Sequence, residues 1–305
     1  MPAGIISSSS FAKALYPGVS NWYGKEYKEW MTEYDKLFDT FSSRRAYEED
    51  VGITSFGLAQ QKPEGQAIGY DDESQAFVTR YTHAVFALGF IITREMQEDD
   101  LYDVVGERRA RGLAYSMRQT KEVVGANVYN RAFDANYVGG DGVSLLNDSH
   151  PNFAGGTQSN VLATAADLSE ASLEQACIDI QKWTNDRGLR IAVTPQSLHI
   201  PVDLMFEAER ILKTQFRVGT DNNDINALWH LGKFPKGIFV NHYFTDEDAW
   251  FIRTDVKNGM KHFERRAADF SIDNDFDNEN AKFKATERYS FGWTDWRGLF
   301  GSEGA

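Results

Sequence analysis

The chain carries one cysteine in 305 residues, Cys177, so no disulfide can close within it, and nothing in its composition argues for secretion. It lacks any run of about eighteen apolar residues, which excludes a helical membrane span. The opening stretch MPAGIISSSSFAKALYPGV has an early lysine but no continuous apolar centre, and so does not read as a signal peptide. Histidine is scarce: the six, at 83, 150, 199, 230, 242 and 262, include no pair at zinc-ligand spacing. The sequence has no GxxxxGK[ST], no GxGxxG and no GxSxG, the short motifs of phosphate binding, dinucleotide binding and serine hydrolysis. Positive charge is also short. With 32 Lys and Arg against 45 Asp and Glu the net charge is −13, which repels phosphate backbones and argues against a specific nucleic-acid reader. Nucleic acid near this protein would have to be contained rather than gripped.

What remains is a chain with 42% apolar residues, enough for a real core, and a length that suits two modest domains or one large irregular one. There is no internal repeat and no low-complexity tract beyond SSSS at 7–10. Residues 1–50 read as an arm. Within it Trp22, Tyr23, Tyr27, Trp30, Tyr34, Leu37, Phe38 and Phe41 recur at spacings of three and four, which predicts an amphipathic helix. That helix could lie on its own domain or on a neighbour, and by itself the segment favours the first.

Residues 51–92 predict a long hairpin with a polar tip at Lys62, Pro63, Glu64 and Gly65. Its second strand, taken as 77–92, would be roughly 50 Å long at about 3.3 Å per residue, more than most compact domains cover. Residues 97–134 predict a helix, with Leu101, Val104, Val105 and Arg108, then Leu113, Met117, Val124, Val128 and Arg131, on helical spacing. Unbroken, it would run about 55 Å. Gly106, Gly112 and Gly125 each weaken that expectation by roughly 1 kcal/mol relative to alanine. A long hairpin beside a long helix suggests a flat, extended subunit.

Residues 135–166 form a glycine-rich connection, and a compact α/β unit follows. Asp167 and Glu170 resemble a capping box for a helix with Leu173, Ala176, Cys177 and Ile180 inward, stopped at Gly188. The stretch 189–193 predicts a buried strand, and Pro195 and Pro201 bracket a connection. A second helix near 203–214 places Met205, Ala208, Ile211 and Leu212 inward. A long loop covers about 214–236, and strands follow at 238–244 and 248–254, in KHFERR, and in the closing stretch. There Phe283, Ala285, Tyr289, Phe291 and Trp293 share one strand face, with Lys282, Lys284, Thr286, Arg288 and Thr294 on the other.

Candidate chemistry is thin. Asp148, Ser149 and His150 are adjacent, whereas a triad needs convergence from separate elements, so a turn is the better reading. Asp273, Asp275 and Asp277 begin like a calcium loop, but Asn278 stands where glycine is needed and Lys284 where the bidentate glutamate is needed. Cys177, on an apolar helical stripe, reads as a small core residue rather than a nucleophile. No catalytic, cofactor-binding or metal-binding residue emerges.

Several stretches nonetheless resemble one family closely. YEEDVGITSFGLAQQKPEGQAIGYDDE, RYTHAVFALGFIITREMQEDD, SMRQTKEVVGANVYNRAF, HPNFAGGTQSN, DAWFIRTDVKNGMKHFERR and KATERYSFGWTDWRG are similar to segments of the major capsid (coat) proteins of tailed double-stranded DNA bacteriophages. The resemblance covers nearly the whole chain. It implies an α+β fold of the tailed-phage major capsid type, with an N-terminal arm at 1–50 and an extended loop at 51–92 that lies over a neighbouring subunit. A peripheral domain with a spine helix would occupy 93–159, an axial domain 160–260, and the chain would return to the peripheral domain at 261–305. The function implied is structural rather than enzymatic: self-assembly of pentamers and hexamers into an icosahedral head in the virion, built in the bacterial host cytoplasm. The implied partners are further copies of itself, a portal, and separate scaffolding or decoration proteins, with packaged DNA enclosed without specific binding and no membrane. No long acidic or coiled segment precedes the arm, so scaffolding would be a separate protein or none. Lys62 is suggestively placed for crosslinking, but no motif selects an asparagine partner. The residues expected at subunit interfaces are Trp22, Trp30, Lys62, Glu64, Tyr70, Trp229, Trp296 and Phe300. The competing readings are a compartment of the same fold that loads enzymes (encapsulin-like) and a hydrolase built around His150.

Overall fold

The computed structural model describes residues 20–98, 102–153, 155–217, 224–274 and 280–305. Two four-stranded sheets organise it. The first has the order β1 (Asp39–Ser42), β10 (Met260–Asn274), β11 (Ala281–Trp293), β4 (Ala84–Ile92); β1 runs parallel to β10 and the other pairs are antiparallel. The alternation expected for the closing strand is present, with Phe283, Ala285 and Tyr289 buried and Lys282 and Lys284 exposed. Its buried face meets α4 (Tyr102–Asn130), whose inward stripe includes Ala110, Leu113, Ala114, Met117, Ala126 and Tyr129. Three charged residues, Arg118, Lys121 and Glu122, lie on that same stripe, which the apolar pattern did not reveal. Leu101 and the side chains of Val104 and Val105 fall outside the described residues. Gly125 has a clear purpose: a Cβ there would come within 3.3 Å of Tyr34 and 3.4 Å of Phe291, so its absence lets arm, helix and sheet meet.

The second sheet has the order β12 (Leu299–Ser302), β9 (Trp250–Thr254), β7 (Pro195–Ile200), β8 (Gly237–Val240), with β7 and β8 parallel. The crossover between those parallel strands carries α6 (Met205–Lys213) and α7 (Ala227–Leu231), and α5 (Glu170–Lys182) precedes β7. Leu173, Ile180, Leu198, Ile200, Trp250 and Phe300 sit together in the core of this unit.

Several elements differ from the sequence expectation. The strand of 77–92 is divided at His83. Its first part, β3 (Gln75–Thr82), pairs with β2 (Tyr47–Ile53), while β4 joins β11 instead. The hairpin therefore begins at Tyr47, inside the expected arm, and no 50 Å strand needs covering. The buried strand is Pro195–Ile200 rather than 189–193, because a leading proline needs no ladder donor. The helix at 170 is capped by Ser169 and Ser172, which exchange side-chain and backbone hydrogen bonds, and not by Asp167. Asp167 instead accepts from the Ala305 amide. Met205 is exposed, since α6 turns only Ala208 and Leu212 fully inward, with Ile211 partly buried. KHFERR is the start of a fifteen-residue strand. The calcium-like loop falls mostly at 275–279, outside the described residues.

Candidate assembly surfaces

Residues 54–74 leave the β2–β3 hairpin as a loop without regular structure. Its neck is closed where the Thr54 amide donates to the Ser74 carbonyl (2.9 Å) and the Gly57 amide to Asp71 Oδ2 (2.7 Å). Arg187 donates to the Asp71 carboxylate at 3.3 Å and to the Asp72 carbonyl. Those backbone donors, with the Arg187 charge, hold the exposed Asp71 carboxyl below the usual carboxylate range. At the tip, the Gln66 amide closes a turn onto the Pro63 carbonyl, and Gly65 supplies the positive φ of 78° that the turn requires. Between neck and tip the side chains are apolar and uncovered: Leu58 is 78% exposed, Tyr70 94%, and Phe56 and Ile68 are more than half exposed. Lys62 and Glu64 are exposed beside them.

The base of the loop is held firmly. Lys261 on β10 pairs with Asp50 on β2, Thr294 donates to the same carboxylate at 2.7 Å, and the Tyr81 hydroxyl lies 2.7 Å from Thr294. On the other side, Gly140 approaches so closely that a Cβ would fall 2.6 Å from Thr79 Oγ1 and 2.8 Å from the Val78 carbonyl. His83 marks the change of sheet. Its Nε2 faces Ser43 Oγ at 3.1 Å, its Nδ1 faces Ser290 Oγ at 2.9 Å, and Arg288 donates to its carbonyl. Because Ser43 donates its own hydrogen to Glu48 at 2.7 Å, the Ser43 oxygen must accept from His83 Nε2. His83 thus carries a hydrogen on Nε2, and burial, with the nearby Arg288, pushes its pKa down.

The arm is bound to the helix through polar groups. Glu122 accepts the backbone amides of Glu33 (3.2 Å) and Tyr34 (2.8 Å), satisfying the start of α2 (Tyr34–Leu37). Glu33 in turn accepts from the His242 amide at 2.9 Å, linking the arm to the second unit. Behind the arm, Glu287 on β11 faces Lys121 at 3.7 Å. Burial pushes the Glu287 and Glu122 carboxyls above their usual range. Trp22 is half-buried against the cluster around Tyr23 and Ile92. Trp30 is half-exposed, tilted against Tyr115 with ring centres 5.0 Å apart, next to the exposed Met31.

At the far end of the second unit, Asn226 caps α7 by accepting from the Trp229 amide, and Trp229, Leu231, Ile225 and Phe216 are exposed there. The tail is the reverse. Trp296 is 6% exposed and Phe300 0%, both within the core that holds Trp183 and Trp250. The expectation that these two serve neighbouring subunits is therefore corrected: β12 pairs with β9, and that register turns Phe300 into its own chain. The irregular composition of WRGLFGSEGA hid a short strand. Gly298 and Gly259 pass so closely that a Cβ on either would meet the other's Cα within 2.7 Å.

Among the described residues, the Asp148, Ser149 and His150 side chains do not converge into a relay. Ser149 donates to Asp148, while the His150 ring faces Asp141 and Asn160. Burial raises the Cys177 thiol to about 11, so it is not poised as a nucleophile. Among the described residues no three metal-ligating side chains cluster, and no helix is long and apolar enough to cross a membrane.

A chain with three small cores, a firmly based loop of uncovered apolar side chains and an arm strapped across a long helix is built as one unit of a larger structure. The sequence profile described as phage capsid protein matches residues 76–301, well over half of the chain, so this protein belongs to the phage capsid protein family and is a structural protein of the virion head shell. Solved structures agree on the fold, which is that of the tailed-phage capsid proteins. The procapsid of bacteriophage JBD30 superposes with a TM-score of 0.52 at 14% identity, covering 96% of this chain and 75% of that one. Mycobacterium phage Patience gives a TM-score of 0.51 at 13% identity over 99% of this chain and 89% of that one. A virus-like particle from Pyrococcus furiosus gives 0.52 at 8% identity over 94% and 98%. Among curated proteins none matches this chain.

Proposed function

We propose that this chain is the major shell subunit of a tailed-phage head and that the 54–74 loop is its principal hand-hold on the next copy. The observation that carries the reading is the contrast between a fixed base and an uncovered apolar shaft. Asp50, Lys261, Thr294 and Gly140 set the loop's direction, while Phe56, Leu58, Ile68 and Tyr70 face water. Monomers rarely leave that much contiguous apolar surface exposed without a partner. Trp30 with Met31 and Trp229 with Leu231 supply further exposed patches at the arm and at the tip of the second unit. We assign residues 1–46 to the arm, 47–82 to the extended loop, 83–159 and 260–293 to the peripheral domain, and 160–259 with the closing strand Leu299–Ser302 to the axial domain, with α7 facing the five- and six-fold axes. Trp22, Trp30, Lys62, Glu64, Tyr70 and Trp229 belong to the interface set.

The protein works by repeated contacts and has no catalytic step. DNA is enclosed without sequence-specific affinity, in keeping with the net charge of −13. Portal, scaffolding or decoration proteins attach to the assembled lattice, which forms in the host cytoplasm. The test is electron microscopy and sedimentation of the expressed protein beside a variant lacking 58–70. Closed shells from the full chain and soluble, folded, unassembled subunits from the variant are expected. Closed shells from the shortened chain would refute the role of the loop.

A further inference from the structure

One edge of the first sheet is open and unguarded. β4, the stretch AVFALGFII, lies at the end of that sheet in unbroken register with β11. Its nine residues include no charge, no proline and no bulge, the devices that ordinarily keep an edge strand from pairing. The other edges are shorter or guarded: β1, β8 and β12 have four residues each, and β2 carries Glu48, Glu49 and Asp50. The Arg109 guanidinium donates to the Ile91 carbonyl at 2.6 Å, which places the backbone groups of Ile91 on the side away from β11. Strand alternation puts those of Val85, Ala87 and Gly89 on that same side, where among the described residues no hydrogen bond within the chain reaches them. Val85 is 57% exposed, and Ala87 and Gly89 are exposed beside it.

We propose that this edge is a contact between copies, in which β4 of one subunit pairs antiparallel with β4 of a second about a two-fold axis at Ala87, joining two four-stranded sheets into one of eight. An isologous contact sets one patch against itself, and the outward groups of this strand suit it. Rotation about Ala87 brings Val85 opposite Gly89 of the partner subunit and Ala87 opposite Ala87 of the partner subunit. Every outward amide then meets a carbonyl. The small residues at 87 and 89 leave room for the Val85 side chain at each end of the contact. Pairing with β11 already holds the strand extended, so the contact has little left to order. The 54–74 loop is a poorer occupant, because Gly57, Pro63, Gly65 and Gly69 divide it and its backbone would have to be fixed on binding. The nearby guanidiniums offer its acidic side chains little: Arg288, across from Val85, donates to the His83 and Ala46 carbonyls, and Arg109 to that of Ile91. An edge contact of this length buries less than the roughly 1,600 Å² of a standard stable complex, so it is weak in a single pair and counts when repeated over a shell.

Complementation at one position tests the pairing. Ala87 is exposed, so full-length Ala87→Lys and Ala87→Glu should each fold with unchanged circular dichroism. Each sets like charges face to face across the axis and should lose assembled particles on sedimentation, whereas an equal mixture of the two should regain them, because opposite charges then meet. Proximity is read separately, whether or not closed shells form. Cys177 is buried, so in full-length Ala87→Cys the new thiol is the reactive one, and a short bismaleimide should join sedimented protein into dimers. Normal particles from either charge variant, a mixture no better than its components, or the absence of those dimers would each overturn the proposal. Coupling of Ala87→Cys to Tyr70→Cys in place of itself would give the edge to the loop and overturn it equally.

Discussion

Two stretches of this chain are rich in aromatic and aliphatic side chains and poor in regular pattern: the loop at 53–70 and the tail at 293–302. They have opposite fates. In the tail, Trp296, Leu299 and Phe300 are taken into the core of the second sheet, and β12 gains a backbone partner in β9. In the loop, Leu58, Ile68 and Tyr70 gain nothing from their own chain. Apolar composition thus signals burial without saying against what. The difference lies in pairing: a four-residue strand that finds an open edge is buried with it, whereas a loop whose neck closes on itself, Thr54 with Ser74 and Gly57 with Asp71, leaves the side chains beyond the neck uncovered.

That contrast can be broken at four points, taken from the largest expected effect on subunit stability to the smallest. Removing residues 295–305 deletes two buried aromatics and a buried leucine, a loss of about 8–15 kcal/mol by the usual cost of emptying core sites, comparable to the whole stability of a domain. The truncated chain should aggregate on expression; a soluble product with unchanged circular dichroism would return the tail to an interface role.

Acid comes next. Burial lowers both His199 and His262 to about 3, so each is neutral in the fold and protonated in the unfolded chain below its ordinary value near 6.5. The unfolded state then binds more protons, and stability present above pH 6.5 is lost as pH falls, by about 3 kcal/mol per ring at pH 4 as an upper bound. Glu122 and Glu287, whose carboxyls are raised, act in the opposite direction and offset part of the loss. Urea midpoints at pH 7 and pH 4 for wild type and His262→Gln isolate the histidine share; equal slopes would show that the ring does not titrate as its burial requires.

Smaller still is Gly140→Ala. The added methyl meets Thr79 and Val78 at under 3 Å and must push the hairpin from the connection, at about 1–3 kcal/mol. A lowered melting temperature with a reoriented loop is expected, and unaltered melting would mean that the base is looser than its contacts imply. Last is Tyr70→Ser, at the most exposed of these aromatics. Its effect on subunit stability should stay within about 0.5 kcal/mol. Shell yield by sedimentation should nevertheless fall, and a full yield would remove Tyr70 from the interface set.

The sequence by itself determined the elements whose signal is periodic and local: the long helix, whose 3.6-residue stripe runs through Leu113 and Met117, the two-residue alternation of Phe283, Ala285 and Tyr289, the apolar stripe of Leu173, Ala176, Cys177 and Ile180, and the existence of the hairpin, though not its bounds. It also made family membership legible through extended stretches of similar residues. Tertiary structure alone decided the rest. Arg118, Lys121, Glu122 and Glu287 look like solvated charges in one dimension and are buried only because arm, helix and sheet close over them together. His83 divides one apparent strand between two sheets because Ser43 and Ser290 reach it from far along the chain. Trp296 and Phe300 are core residues rather than contact residues because β9 offers an edge that only the assembled sheet possesses. Local periodicity reports which face of an element is apolar, and only long-range pairing settles what that face meets.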